Sequence, residues 1–146
     1  MALYFIGIGL NDEKDITVKG VEAVQKCKYV YIEVFSSILA VPLSNLENFL
    51  GKKIIPADRE LVEQTNEIVD NATHSDVAFL VIGDPFAATT HIDMMLRARE
   101  RNVKFEIINN ASILTAIGIS GLQIYKFGKT TSIAFPQTNF RPITAY

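Results

Sequence analysis

The chain has 146 residues, 49% of them hydrophobic and 21% charged, with a formal net charge of −2. That composition suits one folded domain, argues against disorder and gives no clustered positive charge for a nucleic-acid face. The single cysteine, Cys27, excludes an internal disulfide and any cysteine-based zinc site.

The opening segment, MALYFIGIGL, is apolar but lacks a charged leader and is broken by Gly7 and Gly9, so it reads as a strand over 3–8 running into a glycine turn. With no long apolar span, the expectation is a cytoplasmic protein without a membrane segment. A polar loop follows, in which Asp15 or Thr17 can cap a helix carrying Val18, Val21 and Val24 at helical spacing. Residues 29–34 are β-branched and aromatic and predict a second strand. Pro42 opens a helix through Leu43, Leu46, Phe49 and Leu50, which Gly51 ends. Residues 53–55 read as a short third strand stopped by Pro56. Asp58 then caps one longer helix with Leu61, Val62, Ile68, Val69 and Ala72 on its apolar face.

The most informative stretch is DVAFLVIGDPFAATTH, residues 76–91. Its apolar run, 77–82, predicts a strand buried on both faces, as in a parallel sheet. A Gly83-Asp84-Pro85 turn ends the run. Thr90 with Asp93 three residues on reads as a capping box, opening a helix with Ile92, Met95 and Leu96 at helical spacing. A fifth strand is expected over 103–108. Ser112 caps a small apolar helix over 113–119, 122–127 is ambiguous, and 130–135 reads as a strand. Alternating strands and helices predict an α/β domain with a largely parallel sheet.

In such a sheet the loops at the carboxyl ends of strands hold ligands. Gly7-x-Gly9 lacks the third glycine of a dinucleotide fingerprint, since Asp12 stands there, so it reads as a turn needing backbone freedom. Asp84 has two roles open to it: an Asx turn holding its own backbone, or an acceptor for a ligand amine or hydroxyl. Thr89 and Thr90 read as cap residues. His91 reads as a packing or solvated histidine, because no acidic or nucleophilic partner lies near it in sequence; His74 has no assigned role. Ser112 is by itself an ordinary N-cap, though a helix start also offers free N–H groups to an anion. Cys27 reads as structural. No carboxylate pair, Ser-His-Asp order, metal spacing or P-loop is present, so general acid–base chemistry has thin support.

Taken together, Asp15-Ile16-Thr17-Val18-Lys19-Gly20, Gly83-Asp84-Pro85-Phe86 and Ala88-Thr89-Thr90-His91, with NNASILTAIGISGLQIYKFGK after them, closely resemble the diphthine synthases, collinearly over the whole chain. Gly-Asp-Pro after a buried strand is shared more widely, across the tetrapyrrole methylase superfamily. The resemblance implies a five-stranded N-terminal α/β domain, over 1–135, that binds S-adenosylmethionine and releases S-adenosylhomocysteine. It implies methyl transfer to a modified histidine of translation elongation factor 2; an apolar surface meant for a further domain leads to the expectation of a homodimer. By motif match, Leu10, Asp84, Ala87, Ser112 and Ile113 are the cofactor-contacting positions; some members carry Gly where Ala87 stands. Family chains continue into a second domain that walls the other side of the cleft. Residues 136–146 match the start of the inter-domain linker, so this chain is expected to be a fragment, inactive alone. Two other readings stay open: a precorrin-type methylase acting on a small molecule, and a non-catalytic interaction module.

Overall fold

The computed structural model describes residues 1–88 and 91–131. Five strands form one parallel sheet in the order β3-β2-β4-β1-β5. They are β1 (Ala2–Gly7), β2 (Tyr29–Glu33), β3 (Ile55–Ala57), β4 (Val77–Val81) and β5 (Lys104–Ile108). The helices are α1 (Val18–Lys26), α2 (Leu43–Leu50), α3 (Arg59–Glu63), α4 (Glu67–Ala72), α5 (Ile92–Glu100) and α6 (Ile113–Ala116). Two compact units divide the chain, Met1–Ala116 and a second from Ile117 onward; the sheet and all six helices belong to the first.

β4 is the strand most deeply enclosed. It pairs with β1 on one side and β2 on the other, and all five of its residues are buried. Its period-two alternation feeds two cores. Val77, Phe79 and Val81 face the layer built on Val62, Ile68, Val69, Met94 and Ala98 of α3, α4 and α5. Ala78 and Leu80 face the layer of Ala23, Val24, Leu46 and Leu50 from α1 and α2. The chain therefore leaves β1 toward one face of the sheet and β4 toward the other. Between such neighbours the loops diverge and a crevice opens at the carboxyl edge.

Most local expectations hold. Thr17, not Asp15, is the N-cap of α1 and accepts the Gly20 N–H at 3.0 Å. Asp58 caps α3 by accepting the Leu61 N–H at 2.8 Å. Gly51 ends α2 in the left-handed conformation at φ 64°. Cys27 is buried, its thiol pushed up to about 12 by burial, as a structural cysteine.

Four expectations need correction. The third strand is shifted: it runs Ile55–Ala57 and contains Pro56, opposite Ile32, rather than ending before it. An edge strand tolerates proline because one side of its ladder has no partner. The single helix expected after Asp58 is two, α3 and α4, broken at 64–66. There the Thr65 hydroxyl bonds back to the Leu61 carbonyl at 2.8 Å, and the Arg97 guanidinium takes the carbonyls of Val62 and Thr65. On α5 the buried positions are Met94 and Ala98, whereas Ile92 and Leu96 are exposed. The helix after Ser112 spans only Ile113–Ala116 before passing into 3-10 geometry at Ile117–Ser120. The capping role of Thr90 lies outside the described residues, as do residues 132–135 of the expected last strand and the expected linker; 130 and 131 are not in a strand.

Candidate functional site

Four strand exits build the site. The exits of β1 and β4 stay joined beyond the strands: Gly9 and Gly83 exchange backbone hydrogen bonds, Gly83 N–H donating at 2.7 Å and Gly9 N–H at 3.4 Å. The approach is close enough to exclude side chains. A Cβ on Gly7 would lie 2.5 Å from the Gly83 carbonyl oxygen and 2.8 Å from Asn110 Cβ. A Cβ on Gly9 would lie 2.4 Å from Asp15 Cβ, and Gly9 also sits at φ 78°. The glycine turn expected from the sequence is thus a packing requirement between two site loops.

Asp84 holds this junction together. Its Oδ1 accepts the Phe86 N–H at 2.9 Å, which is the expected Asx turn. Its Oδ2 accepts the Asn109 side-chain amide at 2.9 Å and the Asn110 N–H at 3.0 Å. Burial is the largest single influence on the carboxyl and acts to raise its pKa. Donation by the Phe86 amide, the Asn109 side chain and the Asn110 and Ala87 amides outweighs it, so the pKa falls below the usual aspartate value. Only Phe86, Asn109 and Asn110 hydrogen-bond the carboxylate itself, the Ala87 N–H reaching the Asp84 backbone carbonyl at 3.4 Å, so of its about four acceptor positions roughly one, on Oδ1, is left for a ligand.

Asn110 completes the frame. Its side-chain amide donates to the carbonyls of Gly7 and Asp15, each at 2.9 Å, joining the loops after β1 and β5. Asp15, which does not cap α1, instead accepts the N–H groups of Leu10 and Asn11 at 3.2 and 2.9 Å. The first loop is therefore fixed by its own carboxylate and by an asparagine about a hundred residues away.

Over this frame lies a hollow of ≈ 160 Å³. All five positions expected from the motif match, Leu10, Asp84, Ala87, Ser112 and Ile113, line it together. Leu10 and Ile113 are 36% and 66% exposed, so apolar surface is left open at its rim. Sequence reasoning missed Ser36, Ser37 and His91, which line the same hollow. The serines follow β2, where Glu33 is fully buried and accepts the Phe35 N–H at 2.6 Å, the Ser36 N–H at 2.5 Å and the Ser36 hydroxyl at 2.6 Å. A buried acidic residue at a strand end, followed by two serines, was the available signal. His91 is 3% exposed and stacks edge-on against Phe79, with ring centroids 5.0 Å apart. The packing reading of His91 holds, and the residue is also part of the lining of the hollow. Among the described residues no cluster of His, Cys, Asp and Glu could hold a metal ion, and no helix is long and apolar enough to cross a membrane.

An all-parallel α/β domain with a glycine-clasped Gly-Asp-Pro loop at its crevice defines a class. The chain belongs to the tetrapyrrole (corrin/porphyrin) methylase family, whose model matches residues 2–145. Within that family its similarity is specific. It is 54% identical over 141 residues to the diphthine methyl ester synthase of Homo sapiens, covering 96% of this chain and 50% of that one. It is 52% identical over 144 residues to the same enzyme of Schizosaccharomyces pombe, covering 98% of this chain and 51% of that one. A crystal structure of diphthine synthase superposes with a TM-score of 0.84 at 42% identity, covering 88% of this chain and 52% of the other. The chain spans about half the length of the relatives it matches.

Proposed function

We propose that this chain forms the methyl-donor wall of a diphthine methyl ester synthase, an S-adenosylmethionine-dependent enzyme that methylates the modified histidine of translation elongation factor 2. The observation that carries this reading is the convergence of Leu10, Asp84, Ala87, Ser112 and Ile113 on one hollow, in a chain collinear with diphthine methyl ester synthases over nearly its whole length. The hollow is smaller than the roughly 300–1,000 Å³ of a complete ligand pocket, as suits one wall of a cleft between two domains. A cytoplasmic homodimer completes the reading.

Methyl transfer from a sulfonium is a direct displacement: the bond from the acceptor atom to the methyl carbon forms as the carbon–sulfur bond breaks, and the electron pair stays on sulfur. The leaving group is already activated by its charge. Holding acceptor, methyl and sulfur in line can supply about 7–11 kcal/mol of the barrier, which suits a site whose side chains are spent on rigidity. The ties from Asp84 and Asn110 serve that end by fixing three loops relative to one another. The donor's amine and carboxylate are matched by the remaining acceptor position of Asp84 and by the backbone at Ser112 and Ile113.

Incubating the full-length protein with radiolabelled donor and either elongation factor 2 carrying the unmethylated diphthamide precursor or a precorrin tests this reading. Label on the protein substrate is expected. Label on the precorrin alone would instead assign a small-molecule methylase.

A further inference from the structure

Among the described residues, His91 carries the one buried side-chain polar atom without a hydrogen-bond partner, and it lines the hollow. The ring is 3% exposed, and its Nδ1 is fully buried without a hydrogen-bond partner among the described residues. Of its polar neighbours around the hollow, Asp84 accepts three donors, and the Ser36 hydroxyl is given to Glu33. A buried polar atom without a partner is costly and uncommon. Here it belongs to a residue that lines the candidate donor hollow.

We propose that His91 is a ligand-contacting residue of this pocket, whose neutral ring admits the cationic methyl donor and whose protonation weakens the donor while sparing the thioether product. This rests on the donor-binding reading of the site. The two ligands differ by one methyl group and one positive charge at sulfur. Their amine and carboxylate are common to both and cancel in the ratio of their affinities. A positive ring in a partly desolvated pocket therefore acts on the difference alone.

Burial keeps the ring neutral near pH 7, against the pull of its charged neighbours. Burial, the largest influence, lowers its pKa below the ordinary histidine value; Glu33 at the end of β2 and Glu63 on α3 act the other way without overcoming it. Asp84 borders the same hollow with its charge engaged by three donors. On α5 itself, Asp93 pairs with Arg97 at 2.8 Å, and the guanidinium is turned toward the α3–α4 break.

The test is calorimetric titration of S-adenosylmethionine and S-adenosylhomocysteine into the full-length protein from about pH 8 to about pH 5.5, with wild type, His91→Gln and His74→Gln. In wild type and His74→Gln, donor affinity is expected to fall about tenfold relative to product as pH falls. In His91→Gln the ratio is expected to stay constant. A ratio that does not move in wild type, or moves equally in His91→Gln, overturns the proposal. Should His91→Gln fail to fold, the ring nitrogens of wild-type His91, followed by NMR, are expected to shift on product binding; no shift overturns the contact. Failure of both ligands to bind wild type at any pH overturns the donor-site reading itself, and this inference with it.

Discussion

The carboxylate of Asp84 accepts the backbone N–H of Asn110 at 3.0 Å, so the loop after β4 is bonded to the loop after β5, the strand on the far side of β1. One side chain thereby sets the distance between the Gly-Asp-Pro turn and the segment carrying Ser112 and Ile113. Asp84→Asn replaces a carboxylate facing three donors with an amide that cannot satisfy both oxygens' partners. A loss of about 2 kcal/mol in urea denaturation at pH 7 is expected. The folded-state pKa of Asp84 is lowered, so its contribution is present above the unfolded value of about 3.9 and is lost as pH falls through the folded one. The deficit of Asp84→Asn should therefore shrink below about pH 4; a deficit constant down to the acid transition contradicts the carboxylate's role.

Asn110 is expected to matter for a different reason. Its amide donates to Gly7 and Asp15, and Asn110→Ala leaves both carbonyls without that donor. The expected loss is about 1–3 kcal/mol, two ordinary hydrogen bonds, with weaker binding of S-adenosylhomocysteine because the Leu10 loop is released. Hydrogen exchange at the Leu10 and Asn11 amides reads that release directly. Unchanged protection in Asn110→Ala would count against it.

Much of this was legible in the sequence, and the reasons for the rest are physical. β4 announces itself as an apolar run because both its faces are covered, and the Gly-Asp-Pro turn punctuates it. The five motif positions meet as expected, since collinear motifs at strand ends converge on one sheet edge. The sequence shows no charged partner for His91 because Glu33 and Glu63 come from distant elements. Asn109 and Asn110 carry no signal in the sequence because their partners, Asp84, Gly7 and Asp15, are brought to them only by the strand order. The face of α5 is only partly legible, because helical spacing admits either set of apolar residues: Met95 packs on the core as expected, but Met94 and Ala98, not Ile92 and Leu96, are the buried positions. The α3–α4 break depends on Arg97, a tertiary partner that periodicity does not reveal.

The glycines separate a packing requirement from a backbone one. Gly7→Ala drives a methyl group into the Gly83 carbonyl and Asn110, two backbone-anchored neighbours. It should cost about 3 kcal/mol or more and disturb the ligand site. Gly51→Ala, at φ 64° with open space around it, should cost about 1 kcal/mol and leave ligand affinity unchanged. Equal losses in melting experiments on the two variants would contradict the clasp between the β1 and β4 exits.

His91→Leu should separate stability from function. The native ring is neutral when buried, with a folded pKa below the unfolded value of about 6.5. The unfolded chain takes up the proton first, so wild-type stability is full above about pH 6.5 and declines as pH falls below it. His91→Leu removes that decline and fills an apolar site beside Phe79. Stability at pH 6 should be equal to or above wild type, while affinity for S-adenosylhomocysteine falls. A less stable variant with unaltered affinity would make His91 a packing residue only.

The most direct measurement is calorimetric titration of S-adenosylhomocysteine into the full-length protein and its Ala87→Phe variant, which places a ring in the hollow beside Asp84 and Ser112. Saturable binding by wild type, at least about tenfold weaker in Ala87→Phe at an unchanged melting temperature, is expected. Equal affinities in the two proteins would place the methyl donor elsewhere.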